Sequence, residues 1–186
     1  QVYAYQSNFD RNNLTRWVKR GLLIKLRQGL YSFPEYLEQP SYALFFANRI
    51  YRPSYISLHT ALSFYGIIPE AVVQISSVST LKTYSFINDF GEYSYNTIKE
   101  DKFFGYELKA LKDGRSFQIA SPEKAIVDLL YVYPFYKSEQ DFLDLRFDED
   151  FLKTDLSIDK LRDYSSRFAT KALDIRINKL IRAYEL

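Results

Sequence analysis

Cysteine is absent from the 186 residues, and so is methionine. Without cysteine there is no disulfide framework, no thiolate metal site and no cysteine nucleophile. That suits a reducing compartment, and a cytoplasmic location is expected. About four methionines would be ordinary at this length. Their absence, with a start at Gln1, is read as an N-terminus lying outside the sequence. Histidine occurs once, as His59, so no second histidine is there to complete a zinc site or a Cys-His pair. A lone histidine on a predicted helix is far more often a packing residue than a catalyst. The chain holds neither a P-loop nor a GxGxxG. It has no run of 18 apolar residues and no signal-peptide pattern, so no membrane partner is expected. No enzymatic activity, cofactor or metal is expected either.

One further absence is local. Residues 11–28 contain no Asp or Glu, yet hold Arg11, Arg16, Lys19, Arg20, Lys25 and Arg27. The whole chain carries 25 Lys+Arg against 23 Asp+Glu. The other 168 residues are therefore net acidic, with 19 basic side chains against 23 acidic ones. A mild overall charge of +2 hides one concentrated cationic patch, the kind of field that attracts an anionic polymer.

The residue order within the patch is informative. Leu14, Trp17 and Val18 recur at helical spacing and predict an apolar stripe, with Asn12, Arg16 and Lys19 opposite it and Asn13, Thr15 and Arg20 beside them. Asp10 is the expected N-terminal cap, and Gly21 suits the left-handed position after the last turn. Residues 22–27 then alternate, with Leu22, Ile24 and Leu26 on one face and Lys25 and Arg27 on the other. Gln28-Gly29 predicts a tight turn, residues 30–33 the returning strand, and Pro34 its end. A helix followed by a short hairpin with a basic tip is the back half of a winged helix-turn-helix. In that arrangement the helix enters the major groove of duplex DNA and the wing touches backbone. Arg11, Asn12, Asn13, Thr15, Arg16, Lys19, Arg20, Lys25, Arg27 and Gln28 are the expected DNA-binding residues. A solvated basic helix packed on a hairpin is the plainer alternative.

The hydrophobic content of 47% implies a globular chain with a real core. Residues 35–40 read as a linker between an N-terminal unit, 1–36, and a second unit, 41–186. In the second unit, helices are expected over 41–51 and 58–65, the latter capped by Ser57 and closed by Gly66. Strands are expected over 71–79, 83–87, 93–98, 103–111 and 116–119, as an antiparallel meander with turns at 88–91 and 112–115. Ser121-Pro122-Glu123 starts a helix, and Ser157 and Thr170 precede two more. Leu173, Ile177, Leu180, Ile181 and Tyr184 give the last helix its buried stripe. The order implies an α+β fold: a partial winged helix-turn-helix, then a mixed domain with a small antiparallel sheet and flanking helices.

One enzymatic pattern competes. Glu107-Leu108-Lys109 on a predicted strand, with Asp89 and Asp101 upstream, has the acid…Glu-x-Lys spacing of Mg²⁺-dependent nucleases. It is equally what a half-exposed strand looks like. Residues 139–150 hold six acids, Glu139, Asp141, Asp144, Asp148, Glu149 and Asp150, against Arg146. They read as a solvated face, a dock for a basic partner, or a contact for the chain's own basic wing.

Several stretches together carry a resemblance. They are Arg16-Trp17-Val18-Lys19-Arg20-Gly21-Leu22-Leu23, Gln28-Gly29-Leu30-Tyr31, Arg52-Pro53-Ser54-Tyr55-Ile56-Ser57-Leu58 with Ala61-Leu62 and Tyr65-Gly66, and Ser121-Pro122-Glu123-Lys124-Ala125 with Asp128-Leu129-Leu130-Tyr131. In this order, from about Asn12 to Tyr136, the chain resembles the AbiEi-type antitoxins of bacterial type IV toxin–antitoxin (abortive infection) systems. The resemblance implies an N-terminal winged helix that binds operator DNA and represses its own operon. It also implies a C-terminal domain that counters a nucleotidyltransferase-like toxin. The family's DNA-contacting region falls on Arg11 to Gln28.

Overall fold

A computed structural model describes residues 9–186 of the chain. Residues 1–8 of the expected N-terminal unit lie outside the described residues. The fold is α+β. Helix α1 (Asn12–Lys19) comes first, then a hairpin of β1 (Ile24–Arg27) and β2 (Leu30–Ser32), then a 3₁₀ turn (Pro34–Glu38). The body follows as α2 (Ser41–Ile50), β3 (Ser54–Ile56), α3 (Leu58–Phe64), β4 (Gln74–Ser79), β5 (Tyr84–Asn88), β6 (Gly91–Thr97), β7 (Tyr106–Ala110) and β8 (Ser116–Ala120). Helices α4 (Pro122–Val132), α5 (Glu139–Leu143), α6 (Glu149–Thr154), α7 (Ile158–Arg167) and α8 (Lys171–Ala183) complete it.

The sheet of the body is not the expected meander. Its six strands run in the order β5-β6-β4-β3-β8-β7, with β4 parallel to β6 and β3 parallel to β8. One reason is β3. Its three residues, Ser54, Tyr55 and Ile56, are all buried and pair with β4 on one side and β8 on the other. This strand sits between two helices in sequence and is too short to show a period. By inserting at the centre it separates β4 from β8 and pairs with β8 in parallel; the other parallel pair arises because β5 lies at the edge and β6 returns beside β4. Helix α2 packs on β3 and β8, α3 on β4 and α4, and α4 on α7 and α8. The expected stripe of α8 is buried at Leu173, Ile177, Leu180, Ile181 and Tyr184.

Side-chain caps start four of the eight helices among the described residues, α4 to α7, whereas Thr170 does not cap α8 with its side chain. The Ser121 hydroxyl accepts from the Lys124 amide at 3.3 Å and that of Ser157 from the Lys160 amide at 3.3 Å. Ser57 does not cap α3 with its side chain; its hydroxyl turns to Asp128 instead. The acidic stretch is largely spent on the two short helices. Ser138 and Asp141 form a capping box on α5, and Asp148 accepts from the Phe151 amide at the start of α6.

The expected linker at 35–40 is ordered by aromatic contacts. Tyr36, in the 3₁₀ turn, stacks on Tyr42 of α2 at 4.3 Å and accepts from the Arg115 guanidinium at 2.9 Å. The hairpin continues the same core. Ile24 and Leu26 are buried in the cluster that includes Phe46, Ile50 and Tyr95. The Asn88 side-chain amide, at the end of β5, donates to the Leu26 carbonyl at 3.2 Å.

Candidate nucleic-acid interface

Helix α1 forms where the apolar and polar positions alternate with a helical period. Asp10 supports its start by accepting from the Asn12 amide at 2.9 Å. At its other end the Leu22 amide bonds the Trp17 carbonyl and the Gly21 amide bonds that of Val18, with Gly21 at φ +69°. That closure needs a residue with no Cβ penalty in the left-handed region. The chain then reverses into the hairpin. Lys25 pairs with Tyr31 and Arg27 with Leu30, with a bulge between Lys25 and Arg27 and Gly29 at φ +80° in the turn.

The alternation expected for residues 22–27 holds over the strand itself. Ile24 and Leu26 are buried, while Lys25 and Arg27 face outward; Leu22 precedes the strand and is exposed. On α1, Arg11, Asn12, Thr15, Arg16, Lys19 and Arg20 are exposed and Asn13 is partly covered. Gln28 is exposed at the hairpin tip. Arg16 has Asp10 at 3.3 Å, both in solvent, a pairing worth little against water and salt. Arg27 differs from the others. Its guanidinium donates to the Ile50 carbonyl and sits over the Phe86 ring at 5.3 Å, so part of its bonding capacity is already committed to the body.

The apolar stripe of α1 is only half-covered. Leu14, Trp17 and Val18 are intermediate in exposure, and no residue of α1 is fully buried. Leu14 and Trp17 line an open groove of about 890 Å³ between α1, the hairpin and α2. Phe33, Phe45, Arg49 and Arg52 complete its walls. Arg49 and Arg52 extend the cationic surface from a second element. Nothing in the sequence signals this, because they lie more than twenty residues beyond the acid-free stretch.

The nuclease constellation does not assemble. Asp89 lies in the β5–β6 turn at one edge of the sheet, whereas Glu107 and Lys109 are on β7 at the other. Five strand spacings separate those edges, roughly 24 Å. Asp101 is engaged by Lys102 at 2.9 Å. Glu107 accepts from Tyr65 at 2.8 Å and pairs with Lys109 at 2.8 Å. Those two contacts, the Lys109 one first, hold its carboxyl below the usual carboxylate range. Leu108, between Glu107 and Lys109 on β7, is 67% exposed. Among the described residues no cluster of three or more His, Asp or Glu is arranged to hold a metal ion.

A second polar constellation is fully buried. Lys124 bonds both Asp128, one helical turn along α4, and the Tyr55 hydroxyl at 2.7 Å. Tyr55 and Ser57 donate to the other Asp128 oxygen at 2.9 and 2.8 Å. Phe168, Phe104 and the Tyr55 ring surround the ammonium at 4.7 to 5.3 Å. Burial pulls the Lys124 ammonium below its ordinary pKa, and the adjacent Asp128 opposes that. Neither charged side chain has any exposed surface. The cluster ties β3 to α4 and is closed to a substrate. His59 is half-buried against Tyr133 at 5.7 Å, and burial lowers its pKa.

No helix of the described residues is long and apolar enough to cross a membrane. Compared with known protein families and with curated proteins, the chain matches none.

Proposed function

We propose that this chain is a DNA-binding transcriptional regulator that also acts as an antitoxin. In this reading α1 lies in the major groove of operator DNA, with Asn12 and Arg16 reaching base edges. Lys25 and Gln28 at the hairpin tip approach the phosphate backbone. The body from Ser41 onward counters a nucleotidyltransferase-like toxin in the cytoplasm, a role that rests on the family resemblance alone. The observation carrying the DNA part is the exposed, acid-free set of cations on one helix and one hairpin edge of an otherwise acidic chain. None of the reading requires catalysis by the chain.

Fluorescence anisotropy with duplex DNA from upstream of the chain's own gene tests it. With roughly four to six phosphate contacts, log K should fall with log salt at a slope of about −4 to −5. Replacing Arg16, Lys19, Arg20 and Lys25 together by Ala should flatten that slope and weaken all sequences. Asn12→Ala should cost about 1–3 kcal/mol on the true operator only. Salt-independent binding, or an unchanged slope in the quadruple variant, rejects the interface. Failure to protect cells from a co-expressed toxin rejects the antitoxin role separately.

A further inference from the structure

The two edges of the six-stranded sheet are treated differently. At the β5 edge the N-terminal hairpin lies alongside: Asn88 holds the Leu26 carbonyl, and Arg27 covers Phe86. At the β7 edge, β8 is the only strand neighbour among the described residues, and Glu107, Leu108 and Ala110 are exposed. An open strand edge presents a row of unpaired backbone donors and acceptors, a template for another strand.

The backbone pattern says which groups face outward. Strand β7 pairs antiparallel with β8, Glu107 opposite Ile119 and Lys109 opposite Phe117. The ladder continues beyond both ends, where the Ser121 amide bonds the Gly105 carbonyl and the Leu111 amide bonds the Arg115 carbonyl. In an antiparallel ladder every second residue bonds the neighbour with both its groups. Gly105, Glu107, Lys109 and Leu111 therefore point their amides and carbonyls to β8. Tyr106, Leu108 and Ala110 point theirs out of the sheet.

We propose that β7 pairs with β7 of a second copy of this chain, antiparallel about a two-fold axis at Leu108, to form one continuous sheet across a dimer. This register sets Leu108 against Leu108 of the partner subunit, and Tyr106 against the partner's Ala110. Every outward amide and carbonyl of β7 then has a partner. The same register sets Glu107 against the partner's Lys109, and Lys109 against the partner's Glu107. These are non-hydrogen-bonded pairs, where facing side chains come closest. The Glu107–Lys109 contact within one strand becomes half of an alternating ring of four charges. Sliding one strand by one residue against the other points the backbone groups of the two edges away from each other. Sliding it by two leaves either Ala110 or Tyr106 without a partner and sets Glu107 against Glu107 of the partner subunit, or Lys109 against the partner's Lys109. The strand is thus complementary to itself in its backbone and its charges in one register.

Sedimentation equilibrium of the whole chain tests the proposal, with circular dichroism to confirm folding of each variant. The chain is expected to dimerise as its concentration rises through the micromolar range. Leu108→Pro removes an outward donor without touching the β8 ladder, so it should leave a folded monomer. Lys109→Glu and Glu107→Lys should each weaken the dimer about tenfold by setting like charges face to face twice. Combining the two swaps should restore it. The chain has no cysteine, so Leu108→Cys provides a single thiol. Facing Cα atoms about 5.5 Å apart lie within disulfide reach, and mild oxidation should link two copies. A chain that stays monomeric, a dimer indifferent to Leu108→Pro, or no rescue by the double swap overturns the proposal. So does the absence of a cross-link. DNA binding by the basic helix does not depend on the outcome.

Discussion

In α1, Arg16, Lys19 and Arg20 stand in solvent, and the helix has no fully buried residue. In α4, Glu123, Lys124 and Asp128 are all buried, Lys124 and Asp128 without any exposure. Both helices interleave charge with apolar residues, so the difference lies in what each charge meets. On α1, Arg16 meets the carboxylate of Asp10, itself half-exposed. Lys124 has a carboxylate one turn along its own helix, the Tyr55 hydroxyl from β3 and three aromatic rings, and that carboxylate is held in turn by the Tyr55 and Ser57 hydroxyls. Desolvating an ammonium costs several kcal/mol and is tolerated only where such partners replace water. Charge on α1 is therefore available to a partner molecule, while charge on α4 is consumed by the fold.

The largest expected effect tests that division directly. Lys124→Ala leaves Asp128 buried with two hydroxyls and no cation, which should cost about 3–5 kcal/mol. Lys19→Ala, on the exposed helix, should stay within about 0.5 kcal/mol of the parent. Replacing the pair together, Lys124→Met with Asp128→Leu, should recover much of the loss, since apolar residues of similar volume remove the desolvation problem. Urea unfolding at neutral pH gives all three values. A Lys124→Ala loss no larger than that of Lys19→Ala would break the comparison.

The two helices also differ in how far they could be read in advance. The α1 pattern, its Gly21 closure and the Gln28-Gly29 turn are local, and local rules place them within a few residues. The Ser121 cap is local too. The burial of Lys124 and Asp128 is not. An i, i+4 Lys-Asp pair is ordinary on an exposed helix, and it is the arrival of β3, Phe104 and Phe168 alongside that turns it inward. β3 itself was missed because three residues show no period. The meander expectation failed because strand order depends on pairings far apart in sequence, β3 with β8 and β4 with β6. Asp89 and Glu107 looked close along the chain, yet the mixed order sends them to opposite edges. The extra cations Arg49 and Arg52 join the N-terminal groove only through tertiary packing.

A smaller effect sharpens the α4 side through pH. Burial alone would raise the Glu123 carboxyl. Hydrogen bonds from Lys160, its own backbone and Ser121 outweigh that and leave its pKa below the ordinary value. A carboxyl lowered on folding stabilises fully above its unfolded value. That contribution fades as pH falls through about 4.3 and below. Glu123→Gln removes the charged hydrogen bond to Lys160 and should cost about 1–2 kcal/mol at pH 7. The gap between parent and variant should close as unfolding is repeated from pH 5 downward. A gap independent of pH would mean that Glu123 acts through packing rather than charge.

The smallest effect compares neighbours on one strand. Lys25 and Arg27 both face outward from β1, but only Arg27 is tied to the body, by the Ile50 carbonyl and the Phe86 ring. Arg27→Ala should therefore lower stability by about 1 kcal/mol, the worth of one hydrogen bond with some ring contact. Lys25→Ala should change stability by no more than about 0.5 kcal/mol. DNA binding should show the reverse ranking. Losing the Lys25 phosphate contact should reduce the salt slope by about 1, and losing Arg27 by less. The two readouts together locate the boundary between charge that holds the fold and charge that faces a partner. If Arg27→Ala flattened the salt slope and left unfolding unchanged, the guanidinium would be exchanging its carbonyl for a phosphate on binding. The boundary would then move inward by one residue pair, to the buried Ile24 and Leu26 on which the hairpin rests.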